Sequence, residues 1–402
     1  MNKALKWLGG IVIGLAVLVV AAILILGLLP TPVDVPPKPA PSFIGAPDGA
    51  PTTAPLESNR TIPVRAGESI QSAIDGAKPG DVIEVESGIY HEALKVSTHN
   101  LTLHGQSVDP AGWPILDGES KMDNGAFVTG SFFTIERFQI RNYTQNGVIS
   151  QGTVGPVYRD LIIEDPGEYA LFPILSTDVL IERVKASGAA DSALYVGESK
   201  DIIVRDSEPF QNVTGIEIEN SVNAVVENNY VHDNTAGILV FLLPHKNAKD
   251  GHNTKVINNR VENNNTPNFA TQGIVREVPP GIGILILIAD GTEVTGNTLS
   301  GNNSVGLAVV SADIFFKDTS DFDIPLTPEQ TWVHDNTYRN NGAKSADFLV
   351  KAGLPGVDVL WDAGAWDNTF DESNIKAFPV LPSSAWPGVL KKAVWQVLQL
   401  AK

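Results

Sequence analysis

The chain of 402 residues contains no cysteine and only two methionines. The absence of cysteine excludes disulfide bridges, thiolate metal sites and a lipid-modified N-terminal cysteine. Basic residues are also scarce: 28 Lys and Arg stand against 46 Asp and Glu, for a formal net charge of −18. Nucleic-acid binding needs clustered Lys and Arg that neutralise phosphates, and the sequence has no such cluster. We therefore expect no nucleic-acid partner.

The first 60 residues differ from the rest of the chain. Lys3 and Lys6 precede an uncharged stretch from Trp7 to Pro30, which is long enough for a membrane-spanning helix of about 20 residues. We predict an uncleaved transmembrane signal anchor over residues 1–30, with the bulk of the chain outside the cytoplasm, in the periplasm or at the cell surface. A long, cleaved signal peptide is the alternative. Residues 31–60 are rich in Pro, Ala, Ser and Thr and predict an extended linker.

A short strand-like segment recurs along the remaining chain, as "DVLIER", "DIIVRD", "AVVENN", "KVINNR", "EVTGNT", "WVHDNT" and "AWDNTF". A unit of roughly 23 residues cannot bury its apolar side alone, whereas stacked units can. The repeats predict an all-β solenoid of about ten coils over residues 61–376. We expect polar residues to stack into ladders at its corners. The alignment places in one column Arg183, Asp206, Asn229, Asn259, Asn297, Asn336 and Asn368.

This pattern resembles the right-handed parallel β-helix repeats of the pectin-lyase-like superfamily. The stretch "RAGESIQSAIDGAKPGDVIEVESGIYHEAL" is similar to the first coil of such proteins, in which a short helix, here around Ser69 to Ala77, caps the N-terminal end. More narrowly, "GILVFLLP", "NNRVENNNTPNFA", "VPPGIGILI" and "TFDESNI" resemble a bacterial family of exported parallel β-helix repeat proteins without an established activity. Their genes are often paired with that of another exported protein. The resemblance covers residues 62–376 and implies a fold but no activity.

A second recurring segment, such as "GIEIENS" and "GILVFLL", predicts one strand in each coil. Strand alternation sends half of its residues inward, namely Leu194, Val196, Ile216, Ile218, Ile238, Val240, Ile284, Ile286, Leu307 and Val309. The outward residues form two columns: Phe172, Tyr195, Glu217, Leu239, Leu285 and Ala308; and Gly197, Glu219, Phe241, Leu287 and Val310. The upper part of this face is apolar, so we expect a cover.

Three insertions can supply that cover, at residues 242–254, 265–280 and 313–330. Long loops on one face of a solenoid commonly carry binding, so we predict a groove there. The predicted ligand-binding residues are Phe172, Tyr195, Glu217, Phe241 and His252. A lyase would need a base and a group that neutralises a uronate, which His245, Lys246 and Arg276 offer. A hydrolase would need two carboxylates, which Glu217 and Glu219 offer.

Ordinary roles compete with these. An outward Glu on a strand is usually solvated surface, and loop histidines are usually not ligands. The characteristic motifs of polygalacturonases, alginate epimerases and pectate lyases are missing. No metal site is predicted; Asp318, Asp321 and Asp323 offer oxygen ligands that would suit Ca²⁺, but the loop lacks the glycine and terminal glutamate of a calcium loop. Residues 377–402 predict an amphipathic helix that caps the solenoid, with membrane-surface contact as the alternative.

Two functions stay open. The first is a membrane-anchored extracytoplasmic protein that binds a cell-envelope polysaccharide or another exported protein along the loop-covered face. The second is a carbohydrate-active enzyme, a polysaccharide lyase or glycoside hydrolase, that uses the same groove. A cluster of Glu217, His245, Lys246 and Arg276 around one pocket would favour the enzyme.

Overall fold

The computed structural model describes residues 58–351, 353–362 and 368–379. The predicted anchor, most of the linker and the predicted C-terminal helix beyond residue 379 lie outside these segments. Within them, no helix is both long enough and apolar enough to span a membrane.

The described chain winds into coils whose strands stack in three parallel sheets, as the repeats predict. Sheet 1 contains Thr61–Val64, Val82–Val85, Ile89–Tyr90, Thr102–Gly105, Ile115–Asp117, Thr134–Arg141, Val157–Glu164, Thr177–Ser187, Lys200–Arg205, Glu208–Pro209, Val222–Glu227, His252–Ile257, Glu293–Thr295, Trp332–His334 and Thr369–Asp371. Sheet 2 contains Leu94–Val96, Asn124–Val128, Asn146–Gln151, Tyr169–Ile174, Ser192–Gly197, Thr214–Glu219, Ala236–Phe241, Ile282–Leu287, Val305–Val310, Val357–Trp361 and Ala377–Phe378. Sheet 3 contains Tyr230–His232, Arg260–Glu262, Thr298–Ser300 and Thr337–Arg339. The eleven strands of sheet 2 agree with the predicted number of about ten coils.

Helices are few and short in the described chain. The predicted capping helix is present at Ile70–Asp75; the Ser69 side chain accepts a hydrogen bond from the Ser72 amide, and Glu92 accepts from the Ile70 and Gln71 amides. Ile70 is fully buried, so the helix closes the N-terminal end of the core. A second α-helix spans Asp347–Lys351, and 3₁₀ turns span Pro110–Gly112, Ile274–Glu277 and Ala312–Ile314.

Asparagine ladders occupy the corners, as predicted. In the first ladder, the side-chain oxygen of Asn259 accepts from both the backbone and side-chain nitrogens of Asn229, at 3.0 and 2.9 Å. The pattern continues through Asn297 to Asn336. These residues are buried or nearly so. The side-chain oxygen of each asparagine accepts a hydrogen bond from a corner N–H that has no partner in a strand.

The predicted membership of that ladder needs two corrections. Arg183 and Asp206 have φ angles of 53° and 51° and occupy the left-handed turn position one residue before the ladder, like Asn228. Asn368 lies just before its strand, Thr369–Asp371, and accepts a hydrogen bond from the Thr331 amide. Asn336 donates to Glu372 and not to Asn368. A second ladder, not predicted, runs through Asn212, Asn234, Asn264, Asn302 and Asn341.

The C-terminal boundary also differs from the prediction. Ala377 and Phe378 were expected to begin a helix, but they form a strand that pairs in parallel with Val357–Trp361. Sheet 2 therefore extends two residues past the predicted end of the solenoid, because Val357–Trp361 of the preceding coil still offers an unpaired strand edge.

Candidate functional site

The outward columns of sheet 2 match the predicted register. Glu217 lies between Tyr195 and Leu239, and Glu219 lies between Gly197 and Phe241. The columns continue upward through Leu285 and Leu287. The alternate residues of the same strands point into the core, where Ile216 and Ile238 are fully buried.

The predicted cover is present, and all three insertions contribute to it. Leu243 and Lys246 come from the first, Val275 and Val278 from the second, and Phe315 and Phe316 from the third. Beneath them lies a cavity of about 390 Å³ whose floor includes Leu239, Phe241, Leu285 and Leu287. The apolar upper part of the face is therefore enclosed by the chain's own loops.

Polar contacts fasten the loops to the solenoid and to one another. In the first loop, Glu198 accepts from the Asn247 amide at 2.6 Å. The first and third loops are joined by an ion pair between Lys249 and Asp323, at 2.6 Å. In the second loop, the Gln272 amide donates to the Glu168 side chain, which precedes it by 104 residues. The second loop thus reaches down over earlier coils and closes the lower end of the cavity.

Carboxyl groups gather at that lower end. Asp191, Glu217 and Glu219 all line the cavity together with Lys246 and Tyr169. Lys246 Nζ lies 2.5 Å from Oε1 of Glu219, and the Tyr169 hydroxyl donates to Asp191 at 2.7 Å. Glu217 and Glu219 are each only 4% exposed, so the expectation that outward glutamates on this strand are solvated is wrong. They are buried because the loops exclude water from the face.

Burial raises the pKa of all three carboxyl groups. For Glu217, loss of hydration and the neighbouring Asp191 charge raise the pKa well above its usual value. For Asp191, burial is again the main cause, and the pKa rises to about 6. Burial also raises the pKa of Glu219, although Lys246 and the Tyr195 hydroxyl oppose this increase. Carboxyl groups whose pKa is raised by burial in a cleft are typical of functional sites.

The geometry around Thr214 supports a protonated Glu217. The Thr214 hydroxyl lies 2.7 Å from Oε1 of Glu217 and 3.1 Å from the Asp191 carbonyl oxygen. A hydroxyl has one proton and cannot donate to both acceptors at once. Both contacts are satisfied when Thr214 donates to the carbonyl and a proton on Glu217 is donated to Thr214.

Aromatic rings lie beside the carboxyl end. Tyr169 stacks on Phe172 with ring centroids 4.4 Å apart, and Phe172 lies 4.7 Å from Tyr195. Only Tyr169 of these three lines the cavity. Phe172 and Tyr195, both predicted ligand-binding residues, instead form a wall behind it; Tyr195 is 2% exposed and bonds to Glu219.

The structure brings some predicted site residues together and separates others. Glu217, Glu219, Phe241 and Lys246 line one cavity, which keeps half of the cluster expected for an enzyme. Arg276 is exposed and does not line it, because the 3₁₀ turn directs Val275 inward and Arg276 to solvent.

The two predicted histidines also lie elsewhere. His245 sits in a left-handed turn with a φ angle of 62° and points to Asp321, at 3.5 Å. His252 begins a strand of sheet 1, pairs with Val222 and bonds to Asp250. It therefore belongs to a different face of the solenoid from the cavity.

The acids considered for Ca²⁺ have protein partners. Asp318 accepts from the Ser320 amide, and Asp323 accepts from the His245 amide and pairs with Lys249. Over the described segments, no group of three or more His, Asp or Glu side chains is arranged to hold a metal ion.

Two polar residues of the site escaped the sequence reasoning. Asp191 lies just before its strand, and continuing the outward alternation from Tyr195 back through Ala193 would have reached it. Tyr169 would be inward by alternation, and its ring turns to the face only because the strand begins there. No periodic signal identifies Val275, Phe315 or Phe316, which come from irregular loops.

Residues 124–266 match a family model described as a right handed beta helix region. Together with the three parallel sheets, this match confirms the predicted right-handed parallel β-helix. No curated protein matches the chain.

Several solved structures are similar at low identity. An alginate lyase from Paenibacillus sp. str. FPU-7 is 16% identical, with 70% of this chain and 96% of that chain covered and a TM-score of 0.49. The A-module of mannuronan C-5 epimerase AlgE6 from Azotobacter vinelandii is 17% identical, with 80% and 86% covered and a TM-score of 0.45. The AlgE4 A-module from the same organism is 16% identical, with 78% and 89% covered and a TM-score of 0.42. Similarity at this level says nothing about the activity of this chain.

Proposed function

We propose that this right-handed parallel β-helix binds a small amphipathic ligand in the cavity beneath its loops. The observation that carries the proposal is the division of that cavity. One end holds the buried carboxyl groups of Glu217 and Glu219 and the partly buried one of Asp191, and most of the remainder is lined by Leu, Val and Phe side chains. Its volume of about 390 Å³ falls in the range of small-molecule sites. The apolar part of a ligand would lie under the loops, with its polar group at the carboxyl end.

The loops that cover the outward columns of sheet 2 limit the kind of ligand that can bind there. A polysaccharide chain or a partner protein that lay along the columns would have to displace loops that are tied down by Glu198, Asp323 and Glu168. A sugar unit can still enter as the polar group of a smaller molecule. We therefore favour a small ligand over a polymer lying along this face.

Fluorescence of the neutral apolar dye N-phenyl-1-naphthylamine tests the proposal. We expect the full chain to enhance its emission, because the dye leaves water for apolar walls. Leu243→Trp fills the cavity from its loop and should abolish the enhancement. Leu326→Trp places the same side chain on an exposed loop position outside the lining and should preserve it. Equal enhancement by both variants would contradict binding in this cavity.

A second candidate function, a glycoside hydrolase, is favoured by the state of the carboxyl pair. Glu217 holds a proton and Glu219 faces a lysine, which are the states of an acid and a base. Alternate residues on a strand lie about 7 Å apart, within the range of inverting enzymes. Incubation with acidic and neutral oligosaccharides should then release products, and Glu217→Gln should stop their release. If no product forms across pH 5–8, this candidate fails.

We also propose, from the sequence alone, that residues 1–30 anchor the chain in a membrane with the β-helix outside the cytoplasm. Protease added to intact spheroplasts would then degrade the β-helix, whereas a cytoplasmic control protein would survive. Protection of the β-helix until the cells are lysed would overturn this location.

A further inference from the structure

We propose that the polar group of the ligand is a cation, an ammonium or guanidinium group carried on an apolar body. This inference rests on the binding function proposed above and specifies the class of ligand. It follows from the balance of charge in the cavity, from an unpartnered oxygen atom and from the distribution of polar groups along the walls.

The charge balance comes first. Among the described residues that line the cavity, Asp191, Glu217, Glu219 and Glu277 are acidic and Lys246 is the one basic residue. Lys246 is already engaged by Glu219, at 2.5 Å. Asp191 and Glu217 thus face the cavity without a lining cation of their own. A ligand that brings a positive charge supplies what is missing, whereas an anion would add to the repulsion.

An oxygen atom of Glu217 is available to such a ligand. Its Oε1 contacts Thr214, but Oε2 has no hydrogen-bond partner among the described residues. The side chain is only 4% exposed and lines the cavity. Oε2 is not among the fully buried oxygens that lack a partner, so it is accessible from the cavity, where an N–H donor of a ligand can form a charge-assisted bond with it.

The walls indicate that the rest of the ligand is apolar. Away from the carboxyl end, the lining includes Leu239, Leu285, Phe315 and Phe316. A free sugar needs hydrogen-bonding partners around most of its ring, and these four side chains offer none. A single cationic group on a hydrocarbon or aromatic body satisfies both ends of the cavity.

A cationic ligand makes a specific prediction about pH. Positive charge beside Asp191 and Glu217 favours their ionised forms, so both pKa values fall on binding and protons are released. Affinity for a cation should therefore rise as pH increases from 5.5 to 8, across the range where Asp191, with a pKa of about 6, loses its proton. Affinity for a neutral ligand should not rise in this way.

Isothermal titration calorimetry of the full chain with three six-carbon probes provides the test. Hexylamine, hexyl glucoside and hexanoate share an apolar body and differ in their polar groups. We expect hexylamine to bind about tenfold or more tightly than hexyl glucoside, as one charge-assisted hydrogen bond would provide, and hexanoate to bind most weakly. Glu217→Gln and, separately, Asp191→Asn should reduce this preference. Glu84→Gln, on a sheet 1 strand outside the lining, should keep it.

Each outcome has a distinct meaning. If hexyl glucoside binds as tightly as hexylamine, or the preference survives in both cavity variants, the cationic class is wrong and the binding function stands. If none of the three probes binds, the proposed function itself fails. Circular dichroism of each variant separates loss of binding from loss of folding.

Discussion

Two glutamates with the same low exposure occupy outward positions on different sheets, and they are in opposite electrostatic states. Glu182, on sheet 1, and Glu217, on sheet 2, are each 4% exposed. Arg205, Arg159 and Arg183 lie 2.6, 2.8 and 3.3 Å from Glu182. Burial alone would raise the pKa of Glu182, but the arginines outweigh it and lower the pKa. Glu217 has no such partners, and its pKa is raised.

The difference shows that burial alone does not determine the pKa and the role of a carboxyl group; the charged side chains beside it do. On sheet 1 the charge is neutralised inside the protein, so Glu182 contributes to stability. On sheet 2 no cation lies beside Glu217, so its raised pKa favours the neutral carboxyl, which stays available to a ligand. The comparison can be tested by substitutions that remove one side of it at a time.

The largest expected effect is that of Glu182→Gln. Removing this charge takes the shared carboxyl partner from three arginines that are a third to a half exposed, of which Arg159 and Arg183 keep Glu136 and Asp160. We expect a loss of about 2 to 3 kcal/mol in the free energy of unfolding at pH 7. The loss should shrink below pH 4.5. A carboxyl whose pKa is lowered by folding stabilises the folded state at pH values above its pKa in the unfolded chain, and this contribution disappears as the carboxyl takes up a proton. Urea denaturation measures both effects, with Glu84→Gln as the control. A change below about 0.5 kcal/mol would show that Glu182 and its arginines do not stabilise the folded state.

Asp191 should give a pH dependence of the opposite sign. Its pKa is about 6 when folded, against 3.8 ordinarily, so the folded state binds more protons between these values and stability falls as pH rises through them. After allowance for partial exposure, the expected fall is about 2 kcal/mol. Asp191→Asn should remove this fall from a series of urea denaturations at pH 4 to 7. An unchanged slope would mean that the carboxyl is compensated like Glu182.

Lys246→Met should have a smaller effect that depends on pH. The substitution keeps an apolar stem and removes the cation next to Glu219, which raises the pKa of that carboxyl further. We expect a loss of about 1 kcal/mol at pH 8 and a smaller loss at pH 5, because the raised pKa of Glu219 helps the carboxyl to take up a proton as the pH falls. Thermal denaturation at the two pH values measures the difference. A loss that is equal at both would indicate that Lys246 acts through packing alone.

The smallest effect is expected for Glu217→Gln. Because the raised pKa of Glu217 favours the protonated carboxyl, the amide replaces it with a similar shape and keeps a donor for Thr214. The free energy of unfolding should change by less than about 1 kcal/mol at pH 7. A loss as large as that of Glu182→Gln, measured by the same denaturation, would show that Glu217 is ionised and held by the protein.

The sequence was sufficient to predict the repeat and the register of the outward columns, since both follow from strand period and turn chemistry, and the resemblance to β-helix proteins supplied the capping helix. The corner column was misplaced at Arg183 and Asp206 because matching letters does not distinguish a left-handed turn residue from the next residue, whose side chain points inward. Loops were expected over the columns, and they are there. Which loop residues enter the cavity could not be predicted, because irregular segments have no period to read.

The charge states were harder still. Nothing in "GIEIENS" indicates that Glu217 loses its hydration. Nor does the segment show that Glu219 gains a cation, because Lys246 reaches it from a loop 27 residues further along the chain. Similarly, two of the three arginines around Glu182, Arg159 and Arg205, are brought to it by stacking from the coils before and after it. Burial and partner choice are properties of the assembled coils, and single strands do not carry them.

The cavity lies against the outer surface of the solenoid wall, and this position has an evolutionary consequence. Every strand beneath it has two sets of residues: alternate residues such as Ile216 and Ile238 fill the interior, and those between them, such as Glu217 and Leu239, face the cavity. Selection can therefore alter one set while leaving the other untouched. A lineage of such proteins can change what it binds by single substitutions, without having to rebuild the scaffold that holds the binding residues in place.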